Sequence, residues 1–503
     1  MTLEEILAAR PSPGQPRAYN FPTFERTVLR SGLQVLAAHV PGRPLVSANL
    51  IFRSGAADEP ADLAGATVLA ARAMTEGTER YPGLELIEAA ERLGSTLHVD
   101  ASWDAFAASI EVAAPRLRAA LELLDELVER PTFPAEEVAR LRDERLNDLL
   151  QMRAEPRRRV EQAFSQTIYT AASPYSRLAG GDESTVERLT RDELTAIHRE
   201  LLSPERAALV VGGDLTGLDV PRMAEEVLGS LARDGSGASS ASSASGASGA
   251  SGAPGVPGVP AGPKPPLDGR VPVAEPAVDR PIVRLYDRPS SVQSEVRIGH
   301  VGLPRHVPDF HAVQVMAAIL GGLFNSRLQL NLREERGYTY GVGAGFDMRR
   351  GAGPFGVRTA VQTAVTAPAI SEALKELHRM RDTLVTDAEL AVARDYMVGV
   401  FPLRFETPGA VVGAIGGLFV NGLPDDELAR YRGLVEAVTA RDVRKAAQDH
   451  IHPDRLAIVL VGDADVVGTE LEAAGFGELE VIHDEPPGEA GGAGVPGGDE
   501  EGE

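Results

Sequence analysis

The side chains of this sequence that could do chemistry are histidines, carboxylates, arginines and tyrosines, because its 503 residues include no cysteine. The lack of cysteine excludes a disulfide framework, cysteine-ligated zinc, an iron–sulfur cluster and a thiol nucleophile. Ten histidines are present, but none has partners at the spacing of a metal site on a helix. His450 and His452 stand two residues apart, and Pro453 follows directly. The sequence therefore predicts surface or capping roles for the imidazoles.

The charge of the chain limits its partners. The net charge is −23, and the last 20 residues, 484–503, contain seven acids and no base. An acidic body argues against nucleic acid or an anionic membrane as a partner. The N-terminal residues do not resemble a secretory signal, and the longest apolar runs have the length of strands. We therefore expect a cytoplasmic protein.

The composition divides the chain into two folded parts. Residues 235–266 consist almost entirely of Gly, Ser, Ala and Pro, a composition that cannot bury a core. The predicted organisation has five segments: an N-terminal extension at 1–21, a domain at 22–233, a disordered linker at 234–279, a second domain at 280–482 and a disordered acidic tail at 483–503.

The two predicted domains resemble each other. The segment that begins at Leu201 (LLSPERAALVVGGDL) matches the one at His450 (HIHPDRLAIVLVGDA), with Pro204 and Pro453 offset by 249 residues. Residues 133–143 match residues 385–395 at an offset of 252. Thr190 and Thr439 each begin a helical pattern with an acid three residues later, as in a capping box. These matches predict a duplicated domain.

Each half mixes strands with helices. Apolar residues alternate from Leu97 to Trp103, which is the period of a half-buried strand, and a helical pattern follows Pro115. The second half repeats this order, with strands near 340–348 and up to Gln362 and then a helix to about Leu384. Strand pairs followed by helices predict an α+β fold, in which each mostly antiparallel sheet carries helices on one side.

One segment carries a family resemblance. Residues 47–78 (SANLIFRSGAADEPADLAGATVLAARAMTEGT) resemble the first strand and helix of the M16 metallopeptidases, the insulinase, pitrilysin and mitochondrial processing peptidase family. Gly65 and Gly77–Thr78 match the family's motif GxAHxxEHxxFxGT. Residues 173–194 and 320–342 (LGGLFNSRLQLNLREERGYTYGV) also resemble family segments. The resemblance implies the two-domain M16/LuxS-like fold.

The positions that would bind zinc are altered. By the resemblance, Val68 replaces the first histidine, Ala71 replaces the catalytic glutamate and Arg72 replaces the second histidine. The third ligand of the family would fall near Asp148 or Leu149. Since Val and Ala offer neither a ligand nor a base, the resemblance implies no catalytic residue and no metal or other cofactor in this chain.

A second pair of family positions is kept. In the family, an arginine and a tyrosine seven residues apart face the zinc site from the other domain and bind substrate, and Arg333 and Tyr340 have that spacing. The alternative is that Arg333 pairs with Glu334 and Tyr340 packs in the sheet. On the strand that binds substrate in the family, an exposed His98 is favoured over a histidine that binds peptide. A solvated loop, rather than a metal site, is predicted for three acids: Asp58, Glu59 and Asp62.

The resemblance implies a non-catalytic subunit of a heterodimeric M16 peptidase. A zinc-bearing subunit of similar length would be its partner, and a peptide its substrate. The alternative is a structural or assembly protein that keeps the fold and has no role in proteolysis. An active peptidase with an unrecognised site is the third and least favoured hypothesis.

Overall fold

Each half folds around one six-stranded sheet in the part of the chain that the computed structural model describes, residues 18–231 and 271–483. The strands of the first half are β1 (Phe24–Val28), β2 (Gln34–His39), β3 (Leu45–Phe52), β4 (Leu97–Ala101), β5 (Phe106–Ala113) and β6 (Ala207–Gly213). Those of the second half are β7 (Ile282–Asp287), β8 (Gln293–Val301), β9 (Val342–Phe346), β10 (Pro354–Gln362), β11 (Ala457–Gly462) and β12 (Glu478–His483).

Both sheets are mostly antiparallel. Their spatial orders are β1-β2-β6-β3-β5-β4 and β12-β7-β11-β8-β10-β9. The parallel pairs are β2 with β6 in the first sheet, and β7 with both β11 and β12 in the second. The predicted α+β class is therefore confirmed. The strands β4 and β9 each form one edge of their sheet.

Fifteen α-helices accompany these strands in the described residues. Those of the first half are α1 (Ala66–Met74), α2 (Leu84–Arg92), α3 (Leu117–Glu129), α4 (Ala135–Ala154), α5 (Pro156–Ile168), α6 (Glu183–Val186), α7 (Arg191–Leu201) and α8 (Val220–Leu228). Those of the second half are α9 (Phe310–Ala317), α10 (Thr366–Asp382), α11 (Asp387–Val400), α12 (Pro408–Asn421), α13 (Glu427–Ala437), α14 (Ala440–His450) and α15 (Ala464–Ala474). Two π-helical segments are Ala318–Gly322 and Gln329–Glu335.

The internal repeat of the sequence corresponds to equivalent elements. The backbone N–H of Thr190 donates to Glu193, and that of Thr439 donates to Asp442, so capping boxes begin both α7 and α14. After each helix, a 3₁₀ turn at Pro204 or Pro453 leads into the fully buried strand β6 or β11. The duplicated architecture follows from this correspondence.

The inner face of each sheet carries the helices of its own half, as predicted. On β3, the alternating residues Val46, Leu50 and Phe52 are fully buried in the larger core of the first half. Ile51 points to the opposite face and belongs to a separate apolar cluster. The prediction of helices on one side only is therefore incomplete, because this outer face is covered as well.

A helix from the second half covers the outer face of the first sheet. Val411, Ile415 and Phe419 on α12 are at most 4% exposed and pack with Ile51 and Val210 of β3 and β6. Burial of such side chains supplies about 1.5–3 kcal/mol each. The first half therefore has its complete core only with α12 in place.

The reciprocal helix comes from the first half. On α5, Val160, Phe164 and Ile168 are at most 2% exposed, and they pack on Val459 and Tyr286 in the outer face of the second sheet. Because α4 and α5 are separated by a single residue with extended backbone, α5 can turn away from its own sheet. The two halves are thus interlocked by an exchange of helices.

A buried ion-pair cluster also joins the halves. Arg350, in the turn between β9 and β10, contacts Asp58 at 2.7 Å and Asp104 at 3.2 Å, and both carboxylates belong to the first half. Tyr175 donates its hydroxyl to Asp104 at 3.2 Å and accepts the N–H of Gly351 at 3.1 Å. The partners satisfy one another, as buried charges require.

The segment before β7 is part of the folded body. The sequence assigns residues 271–279 to the linker, yet Ala277 donates its N–H to the carbonyl of Ile168 at 2.9 Å, and Val278 is 8% exposed. Phe21, in the predicted extension, is 5% exposed. Residues 1–17, 232–270 and 484–503, which hold the rest of the extension, most of the linker and the tail, lie outside the described residues.

Within the described ranges, no single helix is long and apolar enough to cross a bilayer. One bent pair of helical segments, Asp387–Phe405 with Pro408–Asn421, meets the criteria of length and composition only when the two are combined.

Candidate functional site

The acidic loop before α1 is structural rather than solvated. Glu59 is 8% exposed, and its carboxylate accepts the backbone N–H groups of Gly65 at 2.7 Å and Thr67 at 2.9 Å, which begin the helix. Burial raises the pKa of Glu59, and these hydrogen bonds oppose the shift. Asp58 pairs with Arg350, so among the three acids only Asp62 is exposed, as the sequence predicts for all of them.

Gly65 keeps its place in the motif for a reason of backbone geometry. Its φ is +97°, and a Cβ there would lie 2.7 Å from the carbonyl oxygen of Gly180. Only glycine avoids both the strained conformation and this close approach. Residues 180 and 181, within the segment 173–194, therefore pack directly against the start of α1.

The three positions that the resemblance aligns with the family's zinc motif lie on α1, and one of them forms an ion pair. Val68 is half-buried, Ala71 is 2% exposed, and the guanidinium of Arg72 contacts the Glu144 carboxylate on α4 at 2.9 Å. Arg140 hydrogen-bonds the same carboxylate. Although partial desolvation acts to raise the pKa of Glu144, the two arginines hold it below its ordinary value.

Neither Asp148 nor Leu149, near which the third ligand was expected, faces Arg72. Asp148 accepts hydrogen bonds from Arg158 at 2.7 Å and from Arg145, and Leu149 is 2% exposed. The carboxylate that faces α1 instead comes from Glu144, one helical turn earlier. One carboxylate that is already paired with two arginines does not fit a dication, which needs two further protein ligands. The residues present therefore do not form a zinc site.

A shallow depression connects the altered motif with the sheet edge. It has a volume of about 380 Å³ and is lined by Ala71, Arg72 and residues 97–100 of β4. His98 is exposed there, and its Nε2 lies 3.0 Å from the Thr96 hydroxyl. A peptide strand could hydrogen-bond the open edge of β4, but no described residue at this site combines a nucleophile with a base.

Arg333 lies in the π-helical segment Gln329–Glu335, which the core holds in place. Leu328 and Leu332 are fully buried, and the Asn331 amide donates to Glu376 at 2.9 Å. The guanidinium of Arg333 lies 4.8 Å from the Phe324 ring centroid and 3.5 Å from Glu334. The ion pair with Glu334 is therefore present, but it is long and leaves the guanidinium partly exposed.

Tyr340 does not pack in the sheet. It is 92% exposed, just before the edge strand β9. The preceding residue, Thr339, donates its hydroxyl to the carbonyl of Ala360 at 2.7 Å and accepts the N–H of Gly341 at 3.0 Å. Because Thr339 faces inward, the chain fixes the next side chain in an outward direction.

The structure keeps the two groups of candidate residues apart. Arg333 and Tyr340 lie in the second half, whereas Val68, Ala71 and Arg72 lie in the first. Among the described residues, no hydrogen bond, ion pair or ring contact joins the first group to the second. The Arg72–Glu144 pair was not predicted from the sequence; the signal was an acid one helical turn before the expected ligand position.

One group of possible metal ligands lies elsewhere in the described residues. Oxygen or nitrogen atoms of Asp309, Asp449 and His450 lie within 4.8 Å of one another. The sequence gives no sign of a partner for His450, because Asp309 is distant along the chain. These groups are already engaged, since His450 contacts Asp309 at 2.8 Å and Lys445 pairs with Asp449.

Comparison with known proteins agrees with this geometry. The sequence profile "Insulinase (Peptidase family M16)" matches residues 34–180, and the profile "Peptidase M16 inactive domain" matches residues 188–397. An uncharacterised zinc protease of Mycobacterium tuberculosis is 23% identical over 459 residues, which is 90% of this chain and 96% of that protein. The non-peptidase homolog YmxG of Helicobacter pylori is 20% identical over 432 residues, covering 84% and 89%.

Solved structures share the fold. A peptidase M16 inactive domain from Pseudomonas fluorescens superimposes with a TM-score of 0.76 at 23% identity, covering 88% of this chain and 98% of that one. A chain of complex III2 from Candida albicans has a TM-score of 0.68 at 14% identity, covering 90% and 99%. With both profiles matched and the two-domain α+β fold in place, the chain belongs to the M16 peptidase family.

Proposed function

We propose that this chain is the non-catalytic subunit of a two-subunit M16 peptidase. A subunit of similar length carries the zinc, and this chain supplies Arg333 and Tyr340 to that subunit's site. The observation that carries the proposal is the exposure of Tyr340, which is 92% although the loop around it is fastened by Thr339. The fold gains nothing from a large aromatic residue held in solvent, whereas a shared site would use it.

The state of the chain's own motif supports an inactive role when it is alone. Arg72 and Glu144 neutralise each other, and Ala71 offers no base. Peptide hydrolysis needs a proton acceptor for the attacking water. The part of the reaction left to this chain is therefore binding and charge stabilisation.

The two side chains suit different parts of that task. A tyrosine hydroxyl donates one hydrogen bond, which can shorten as negative charge develops on the former carbonyl oxygen. The guanidinium of Arg333 offers several donors in a fixed plane and already stacks on Phe324, so it can hold peptide carbonyls in both the ground state and the transition state. We therefore assign rate enhancement to Tyr340 and substrate affinity to Arg333.

The alternative is a structural or assembly protein with the M16 fold. The relative named as a non-peptidase homolog favours it, as does the resemblance of the fold to a chain of complex III2. The two functions differ in one respect: an assembly protein does not require the Tyr340 hydroxyl.

The test is reconstitution with a zinc-bearing M16 subunit from the same genome and steady-state kinetics on peptides. Tyr340→Phe should lower kcat by about a hundredfold, because loss of one oxyanion donor costs on the order of 3 kcal/mol. Arg333→Ala should mainly raise KM. Tyr396→Phe is the matched control, since Tyr396 is also exposed, at 53%, but lies on α11.

Size-exclusion chromatography must show an intact complex for every variant. Wild-type kcat and KM in both the Tyr340 and the Arg333 variants would overturn the proposal in favour of the assembly protein.

A further inference from the structure

A cavity of about 540 Å³ lies between the two halves, where the junction of α4 and α5 meets the turn between β9 and β10. We call it the arginine cavity, because five arginines line it: Arg157, Arg158, Arg177, Arg349 and Arg358. Only three acids share its lining. This excess of positive charge contrasts with the net charge of −23 of the chain, and the volume is sufficient for a ligand or a short peptide segment.

Two of the five arginines form no close ion pair with the described residues, although Glu59, Asp182 and Asp62 act on Arg177 from further away. Arg158, Arg349 and Arg358 form ion pairs at 2.7, 2.6 and 3.4 Å. The Nη1 atom of Arg177, by contrast, is buried without a hydrogen-bond partner. Arg157 is exposed at the rim and forms no ion pair with any residue of 18–231 or 271–483. A buried guanidinium nitrogen without a hydrogen-bond partner is costly unless an anion reaches it.

The helix α5, which supplies Arg157 and Arg158, adds to the positive potential in the arginine cavity. Arg157 and Arg158 are the second and third residues of α5, after Pro156. The N-terminus of a helix carries a partial positive charge, so cations there are disfavoured and anions are favoured. The junction therefore combines the helix dipole with side-chain charges of the same sign, which together attract a carboxylate.

We propose that the acidic segment 484–503 of this same chain binds in the arginine cavity. The segment begins directly after β12 and contains seven carboxylates and no cation. Its charge is therefore complementary to that of the cavity, and it is covalently attached beside it.

The contacts at the end of β12 lead to the cavity. His483, the last residue of β12, lies 3.0 Å from Asp287 at the end of β7. The next residue, Arg288, donates to the carbonyl of Ala154 at the α4–α5 junction. Arg157 follows three residues after Ala154. The first three acids of the segment are Asp484, Glu485 and Glu489. Glu489 is six residues beyond His483, so an extended chain could place it up to about 20 Å from the end of β12.

Tethering favours this occupant over an acidic molecule from solution. An attached segment acts at an effective concentration on the order of millimolar, so even weak pairing fills the site. A few carboxylates opposite several arginines also form charge-assisted hydrogen bonds, which are the stronger kind. The bound segment would bridge the two halves, because the cavity takes its lining from both.

The single tryptophan of the chain makes the proposal measurable. Trp103 lines the cavity, 5.0 Å from the Arg349 guanidinium, and its fluorescence reports the surroundings of that site. The variant to prepare is a full-length chain in which the seven acids of 484–503 are replaced by their amides. A synthetic peptide of residues 484–503 is then titrated into this variant and into the wild-type chain.

The neutral-tail variant should show a saturable change in Trp103 emission that ends at the wild-type spectrum. The wild-type chain should respond at least tenfold more weakly to the peptide, because its site is occupied, and 0.5 M NaCl should move its spectrum toward that of the variant. Adding Arg157→Glu to the variant should weaken peptide binding at least tenfold. Arg43→Glu, at an exposed loop position outside the cavity, is the matched control.

Three results would overturn the proposal. One is identical Trp103 emission in the wild type and the neutral-tail variant together with no response to the peptide. Another is equal affinity of both chains for the peptide or for inorganic phosphate, which would indicate an open site for free anions. The third is equal weakening by Arg157→Glu and Arg43→Glu.

Discussion

The exchange of α5 and α12 predicts that the two halves stay together when the linker is cut. The change is a protease recognition site in place of residues 239–257, followed by complete cleavage. The replaced residues lie outside the described part of the chain, and the described contacts between the halves run through α5, α12, the Arg350 cluster and residues 275–277. The cleaved chain should therefore migrate as one species.

The expected strength of the association between the two halves follows from the apolar side chains that they bury. Seven apolar residues of the exchanged helices pack on the opposite sheet and are at most 4% exposed: Val160, Phe164, Ile168, Val411, Val412, Ile415 and Phe419. At about 1.5–3 kcal/mol each, their burial supplies on the order of 15 kcal/mol. Association of two bodies costs an estimated 4–15 kcal/mol. The ion pairs of Arg350 and the remaining contacts add to the balance, so the halves should remain associated at micromolar concentration.

The assay is size-exclusion chromatography with light scattering on the cleaved chain, and denaturant unfolding on the uncut chain. Phe164→Ala should cost about 3–5 kcal/mol of unfolding free energy and Ile415→Ala about 2–5 kcal/mol, because each leaves a cavity between a helix and the sheet of the other half. Their combination should separate the cleaved halves. Phe324→Ala, at a phenylalanine that is 70% exposed, is the matched control. Separation of the cleaved wild-type halves at micromolar concentration would refute the reasoning.

Three further predictions concern single sites. Dialysed chain should contain well under one equivalent of zinc by elemental analysis, because Arg72 occupies a ligand position; a full equivalent would contradict this. Burial lowers the pKa of His198 and His300 to about 4, so acidification from pH 6.5 toward 4 should cost up to about 3 kcal/mol of stability at each ring, because the unfolded chain binds protons that the buried rings do not. Urea titrations of His198→Gln and His300→Gln variants should show a weaker loss on acidification than the wild type does, and an unchanged pH dependence would argue against buried neutral rings. Arg350→Met should cost about 3–5 kcal/mol, because the Asp104 carboxylate, 9% exposed, is left without its cation; a loss below 1 kcal/mol would contradict this.

The sequence alone was sufficient for the elements and the family. Alternation from Leu97 and the helical pattern after Pro115 indicated β4 and α3, since these signals arise from neighbours along the chain. Thr190 and Thr439 marked two helix starts for the same local reason. The residue types of Val68, Ala71 and Arg72 also led to the prediction of a chain without its own zinc site, because metal binding depends on residue type.

Only the tertiary structure decided the contacts between residues that are distant along the chain. The sequence placed helices on one side of each sheet, and nothing local to α5 or α12 indicates that each crosses to the other half. The choice of Glu144 over Asp148 as the acid near Arg72 depends on the rotation of α4 against α1. The exposure of Tyr340 depends on Thr339 reaching β10, because an inward hydrogen bond at one residue directs the next side chain outward.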